Sequence, residues 1–399
     1  MIVLIVNLGS TSFKYKLFDM PADGSPPKPL AQGAADRISQ GDSAFSARAG
    51  DQQTKGRCDL CDHAAAIDLH LEKMLELGAI STLEQIEAIG FKAVHGGPIR
   101  EAVQVDEQVL ETMQQFGDVA PAHNPPYIAA MKAFAARLPQ VPQVAAFETA
   151  FHQSIPLSRQ AYGIPHEWIT ELGIRRYGFH GASHRYIATR MAQIAPQAGK
   201  IISSHLGGSC SISAIHDGQS LANSFGMTAQ SGVFHNNRVG DFDVFALQKL
   251  LKAGLDLETI FAKLGKESGL KGLSGVSADL REVEQAAAAG NQQAQLAVDA
   301  FVETCRHYVG AYLAVLNGAD ALVFTGGIGQ HSASIRAAIC AGMEFAGIRI
   351  DPKQNRSAAG DAESRIEAPD STTQIWVVPT DEELIVGLQT VEVLSMQKV

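Results

Sequence analysis

A chain of 399 residues is longer than one ordinary domain, and its length predicts two or three. Hydrophobic residues make up 46% and charged residues 19%, which supplies real cores and excludes a compositionally disordered chain. Its 32 basic and 42 acidic side chains leave a net charge of −10, which argues against non-specific binding to nucleic acid or anionic lipid, so an anionic substrate must be met by local positive charge.

Met1 runs directly into the apolar IVLIVN with no basic leader, and no apolar run approaches the ~18 residues of a membrane span, so a cytosolic protein without membrane partners is expected. Residues 2–7 and 12–19 read as a β-hairpin, the first strand apolar enough to be buried on both faces. Residues 20–60, rich in Pro, Gly, Ser and Asp, read as irregular connection with at most short strands. Cys58 and Cys61 have CxxC spacing without a second ligand pair, which leaves open a metal or redox pair or two reduced thiols in a polar loop. Asp62 predicts a helix start, with Ile67, Leu71, Met74 and Leu75 on one face and Gly78 as the stop. A strand over 87–94, a helix over 126–138 and a strand over 141–147 follow. The second half repeats the alternation with strands 199–204 and 210–216, helices near 243–253, 276–289 and 291–317, and a strand over 319–326. A last helix, 381–396, is expected to pack back on the first half. Such βα alternation predicts an α/β protein.

Two stretches have the same shape. IVNLGSTSFKYKLFD (5–19) and SSHLGGSCSISAIHD (203–217) each end an apolar run in Leu-Gly and return through small residues, with Leu8 and Leu206 standing 206 − 8 = 198 positions apart. A hairpin turn of Gly, Ser and Thr can aim backbone N–H groups and hydroxyls at an anion, and two such turns can hold the phosphates of one nucleotide; ordinary turns would carry the same letters. A third small-residue loop, FTGGIG (324–329), follows a strand, but it is neither GxGxxG nor a P-loop.

The residues that can carry chemistry sit at strand ends and helix starts, where α/β proteins place their sites. His95 lies in AVHGGPIR and Glu148 in FETAFHQSIP. His180 lies in YGFHGASHRYIATR, just before a helix that Ser183 is expected to cap. His180 and His184 have the i, i+4 spacing of a zinc pair, but Gly181 and that cap put His180 outside the helix. Arg238, in HNNRVGDFD, is either a surface ion pair or a phosphate clamp. Ser277 is a candidate cap in SGVSADLR. The acids of PTDEEL either complement a helix dipole or serve a metal–nucleotide site.

The ordered set NLGSTSFKYKLFD, VHGG, APAHNP, FETAFHQSIP, RRYGFHGASHRYIA, SHLGG, SGVSADLR, FTGGIG, GMEFAGIRID and PTDEEL resembles the acetate kinase family from end to end. The resemblance implies the duplicated fold shared with actin, heat-shock chaperones and sugar kinases (ribonuclease H-like), with residues 1–150 plus 384–399 as the acyl and phosphoryl domain, 151–383 as the nucleotide domain, and ATP between them. It implies reversible phosphoryl transfer from ATP to a short-chain carboxylate, most directly acetate, giving ADP and an acyl phosphate with Mg²⁺ or Mn²⁺, in a homodimer. Carried over motif by motif, it assigns Asn7, Ser10, Ser12 and Lys14 to the first phosphate and metal region, with Glu382 also at the metal. It assigns Glu148, His123, His180 and Arg238 to catalysis, and His205, Gly207, Gly208, Asp279, Leu280, Arg281, Gly327 and Gly329 to the nucleotide. It places Lys92, Val94, Ala122, Phe179 and Ala229 around the acyl group.

The chain departs from the family pattern at several of these positions. Glu148 stands where the family has Asp, Lys92 where it has Arg, Ala122 where Leu is usual and Ala229 where Pro is usual. A pocket cut back at two walls would favour propionate or butyrate, unless Phe234 or Met227 fills the gap. A nucleotide-gated binding protein that has lost transfer is the alternative from another class. Sugar-kinase binding motifs are absent from the sequence.

Overall fold

The computed structural model describes residues 1–21 and 25–396, which form two compact units: Met1–Phe151 with the C-terminal segment from Asp381, and His152–Thr380. Among the described residues no helix is long and apolar enough to cross a membrane.

The first unit is built on an eight-stranded sheet. Its strands are β1 (Ile2–Leu8), β2 (Ser12–Asp19), β3 (Lys28–Asp36), β4 (Ser43–Ala49), β5 (Gln52–Cys58), β6 (Ala88–Ala93), β7 (Val103–Gln104) and β8 (Gln143–Phe147), in the order β5-β4-β3-β2-β1-β6-β8-β7. β1 to β5 form an antiparallel meander, and β6 and β8 run parallel to β1. The apolar run of β1 is buried on both faces, as its composition requires. Leu4, Val6 and Leu8 join a core with Ile67, Leu71, Met74, Tyr127 and Phe134 from the helices His63–Glu76 and Asn124–Arg137. Ile5 lies on the other face, against the closing helix Glu382–Met396, where a side chain at Gly90 would collide with Thr390, Ile5 and Val386.

The second unit repeats this plan. Its sheet contains β9 (Lys200–Leu206), β10 (Cys210–His216), β11 (Gln219–Asn223), β12 (Ala321–Thr325), β13 (Ser364–Arg365) and β14 (Gln374–Val377), in the order β11-β10-β9-β12-β14-β13. The hairpin β9–β10 corresponds to β1–β2, and β12 lies parallel beside β9 as β6 does beside β1. The repeated letters are therefore a repeated topology, each Leu-Gly ending the first strand of a hairpin.

The 20–60 segment corrects the sequence reading, because three of its stretches are full strands in the meander. Its small and polar residues hide this. β5 is an edge strand exposed along most of its length, so it has no apolar alternation to read. Three helix readings also shift. Asp62 does cap the first helix, accepting from the Ala65 N–H, but Leu75 lies exposed rather than in the core. Ser183 is not a cap, since the helix Gly181–Ile194 begins two residues earlier with His180 at the cap position. Asp279, not Ser277, caps the helix Leu280–Ala288.

Candidate active site

In the first unit the site begins with β-sheet register. Asn7 on β1 faces Lys14 on β2, so both project from one face, and Lys16 follows on that face two residues later. The start of the closing helix meets this face: Lys16 Nζ lies 2.9 Å from Asp381 Oδ1 and 3.5 Å from Glu383 Oε2, and Asn7 Nδ2 donates to Glu383 Oε1 at 3.4 Å. Lys92 on β6 reaches Glu148 Oε1 at 3.2 Å and also pairs with Glu382. Burial opposes charge on Lys92, but the carboxylates of Glu382 and Glu148 outweigh it and hold its pKa well above the usual value. Lys16 and Lys92 thus each bridge two carboxylates. The acids of PTDEEL do more than complement a helix dipole.

Those oxygen donors suit a hard divalent cation. Among the described residues no group of three or more His, Cys, Asp or Glu side chains gathers around one point. A cation here would draw its remaining ligands from phosphate and water, as Mg²⁺ commonly does.

The other first-unit candidates lie on loops fixed to this cluster. His123 takes the cap position of the Asn124–Arg137 helix. Asn124, fully buried, accepts from the His95 N–H and donates to the His95 and Met113 carbonyls, which ties APAHNP to VHGG. Tyr127 accepts from the Leu8 N–H at 2.8 Å and so anchors the end of β1. Val94 is partly buried, Ala122 and Ser10 are exposed, and Ser12 is half-buried at the hairpin turn.

In the second unit, the hairpin β9–β10 and the loop after β12 touch backbone to backbone. A Cβ at Gly326, where φ is +75°, would lie 2.6 Å from the Leu206 carbonyl oxygen, so only glycine fits there. Beside this contact is a cleft of about 900 Å³, lined by Gly207, Gly208, Asp279, Leu280, Arg281 and Gly327 among others. Six of the eight residues assigned to the nucleotide therefore line one cavity. Gly329 lies one residue beyond the lining Ile328, packed on Phe324, and His205 lies two residues before Gly207 on β9. Asp279 is held to about 2, mainly by its bonds with Arg281, and is occupied as helix cap and ion-pair partner.

Arg238 stands on a loop clamped to the same hairpin. His235 Nδ1 accepts from the Cys210 N–H at 2.8 Å, and the carbonyls of His235 and Asn236 accept from Leu270 and Lys271. The Arg238 guanidinium donates to the Ala229 carbonyl at 2.6 Å, and no carboxylate lies within ion-pair distance of it among the described residues. Burial lowers its pKa. It is not a surface ion pair but a partly buried cation with no counter-anion among the described residues, the arrangement expected where a substrate supplies the negative charge.

His180 is held in the left-handed region at φ +57°, with Phe179 buried edge-on against Phe225. Its ring lies 4.3 Å from that of His205, and His180 Nδ1 is 2.8 Å from Ser211 Oγ. His184 is fully buried between Ser203 and Ser211. No metal pair arises, because a serine stands between the two histidines.

The chain matches the model of the Acetokinase family over residues 2–388. It belongs to that family. Acetate kinase from Phocaeicola vulgatus is 40% identical over 98% of this chain and 99% of its own length, and that from Exiguobacterium sp. is 38% identical over 99% and 98%. Among solved structures, acetate kinase from Porphyromonas gingivalis aligns with a TM-score of 0.90 at 37% identity, and a propionate kinase from Francisella tularensis with 0.90 at 33%, each covering 98% of this chain and 99% of its own. The fold of this chain is thus the duplicated actin and sugar-kinase-like architecture expected from its motifs.

Within this chain, sequence reasoning missed Lys16, Asn124, Tyr127, Ser203 and Ser211, and weighed His184 only as a metal ligand. For Lys16 the signal was present, since alternation from Lys14 places both lysines on one face. For the serines it was a polar residue recurring inside otherwise apolar core strands.

Proposed function

We propose that this protein transfers a phosphoryl group reversibly between ATP and a short-chain carboxylate, acetate first among them. A carboxylate oxygen forms a bond to the γ-phosphorus, the bond to the β,γ-bridging oxygen breaks with its electron pair going to ADP, and an acyl phosphate results. The observation that carries the reading is Arg238, a partly buried cation with no counter-anion among the described residues. Such transfer needs mainly positioning and positive charge around three phosphoryl oxygens.

In this reading the second unit serves the nucleotide, with the glycine-lined cleft receiving ATP and Arg238, His180 and His205 facing the transferring group. The first unit serves the metal and acyl side. Asn7 and Glu382, with Glu148 beside them, would hold Mg²⁺ or Mn²⁺, which when bound neutralises phosphate charge. Lys92 pairs with both Glu148 and Glu382 and orients them. Lys14, Ser10 and Ser12 are the proposed first phosphate contacts, His123 the second imidazole of the site.

A propionate or butyrate preference is a second reading. It is supported by the one-carbon side chains that stand at Ala122 and Ala229. The proposed assembly is a homodimer, favoured by exposed apolar side chains close in sequence, Phe242, Val244, Phe245, Leu257 and Phe261, with Phe245 72% accessible. Light scattering measures that state.

Incubation with ATP, Mg²⁺, hydroxylamine and a panel of carboxylates tests the proposal. Acyl hydroxamate should form with a two- to four-carbon acid and not without ATP. ATP binding with no hydroxamate from any acid would favour the binding-protein alternative.

A further inference from the structure

We infer that Ser203, His184, Ser211 and His180 form a hydrogen-bond relay with a single direction, which holds His180 as the neutral tautomer protonated on Nε2. The inference rests on the reading of His180 as a group that meets the transferring phosphoryl.

Three contacts make the chain: Ser203 Oγ to His184 Nδ1 at 2.9 Å, His184 Nε2 to Ser211 Oγ at 2.8 Å, and Ser211 Oγ to His180 Nδ1 at 2.8 Å. Ser203, His184 and Ser211 are fully buried, so no solvent completes their bonding. A neutral imidazole has one N–H and a hydroxyl one O–H, so the protons can be counted.

Suppose His180 carried its proton on Nδ1. It would donate to Ser211, Ser211 would donate to His184 Nε2, and His184 would donate from Nδ1 to Ser203. The Ser203 hydroxyl proton would then have no acceptor, because Ser203 Oγ makes no other hydrogen bond among the described residues. A buried donor left unpaired is costly. In the opposite direction every proton is used: Ser203 donates to His184 Nδ1, His184 Nε2–H to Ser211, and Ser211 to His180 Nδ1. The proton of His180 is then on Nε2. A doubly protonated His184 is excluded by its setting, since burial, with His152 and His205 nearby, holds its pKa well below the ordinary value.

The backbone is fixed by the same logic. The Phe179 carbonyl can only accept, so His152 must donate to it from Nε2 at 2.9 Å and accept from Ser220 on Nδ1 at 2.8 Å. Asn223 donates to the same carbonyl at 3.3 Å. This grip sits at the peptide that enters the left-handed residue His180. His180 thus offers a neutral N–H donor suited to oxyanion charge rather than a base, and Ser203, His184 and Ser211 are positioning residues.

Nitrogen-15 NMR of the full chain with ring-labelled histidine reads the tautomer directly, the His180 signal being assigned by its loss in His180→Gln. The expected native state is protonated Nε2. Ser203→Ala should shift His180 toward Nδ1–H and lower kcat about tenfold, part of the ~10²–10³ that loss of an electrostatic donor costs. KM for ATP and carboxylate should stay within about twofold, and Ser203→Thr should restore tautomer and kcat. Native His180 protonated on Nδ1, or a tautomer unmoved by Ser203→Ala, would overturn the relay. If Ser203→Ala does not fold, the native spectrum still decides. A native Nε2–H tautomer in a protein that forms no acyl phosphate would leave the relay standing and sink the proposed function instead.

Discussion

Lys92 Nζ lies 3.2 Å from Glu148 Oε1, and the two residues come from parallel neighbouring strands, Glu148 following the last residue of β8. Relative to the Arg and Asp of the family pattern, one side chain is shorter and the other longer, so the pair keeps its reach. Glu148→Gln should lower transfer at least ~100-fold, since a misplacement of about 1 Å already costs that much. ATP binding by calorimetry should change less than about threefold. A strong rise in turnover in Glu148→Asp would show instead that the native pair is a decayed one.

The second reading, a larger acyl pocket, is tested at Ala122. It requires kcat/KM for propionate or butyrate to equal or exceed that for acetate in the native protein. Ala122→Leu should move the ratio toward acetate by roughly 10–200-fold, the value of a methylene-scale change in an apolar pocket. Native preference for acetate by tenfold or more would mean that Met227 or another neighbour has closed the space.

Arg336 is fully buried and donates to the carbonyls of Gly329, Gln330, Asn355 and Ala358 and to the Asn355 side chain. Two of these carbonyls belong to the short helix Gly326–His331 beside the cleft proposed for the nucleotide. Arg336→Met strands those acceptors in the core and should cost about 3–5 kcal/mol. Melting temperature and ATP affinity should fall together; a lowered melting temperature with unchanged affinity would detach Arg336 from the cleft.

Acid stability is set in part by His70, buried between Phe13 and Tyr15 with no hydrogen bond of good geometry at either ring nitrogen. Burial lowers its pKa to about 4 from the 6.5 of the unfolded chain. The folded state therefore keeps His70 neutral, so this stability is full above pH 6.5 and is lost as pH falls toward 4, by roughly 3 kcal/mol. Denaturation midpoints at pH 7 and pH 4.5 should converge in His70→Gln relative to the native chain. An identical acid loss in both would place the sensitivity elsewhere.

What the sequence revealed and concealed follows from how strongly each residue type reports its surroundings. The cap at Asp62, the doubly buried β1 and the paired hairpins were legible because charge, apolar run and glycine each have few alternative meanings. The meander β3 to β5 was not, since its exposed strands carry the same small polar residues as a loop. Arg238 was legible as a cation in a loop, but its lack of a counter-anion among the described residues is a property of the folded surroundings alone. The Ser203–His184–Ser211 relay was hidden for the reverse reason: a serine at a strand position looks alike whether it faces water or completes a buried chain of hydrogen bonds.

The central claim is that Arg238 acts on the phosphoryl group in transit, and steady-state kinetics of Arg238→Ala with ATP and the preferred carboxylate test it most directly. The expected result is a fall in kcat of roughly 10²–10³, the cost of one preorganised electrostatic stabiliser, with KM for ATP within about threefold. An unchanged kcat with only KM raised would make Arg238 a binding residue and contradict the account.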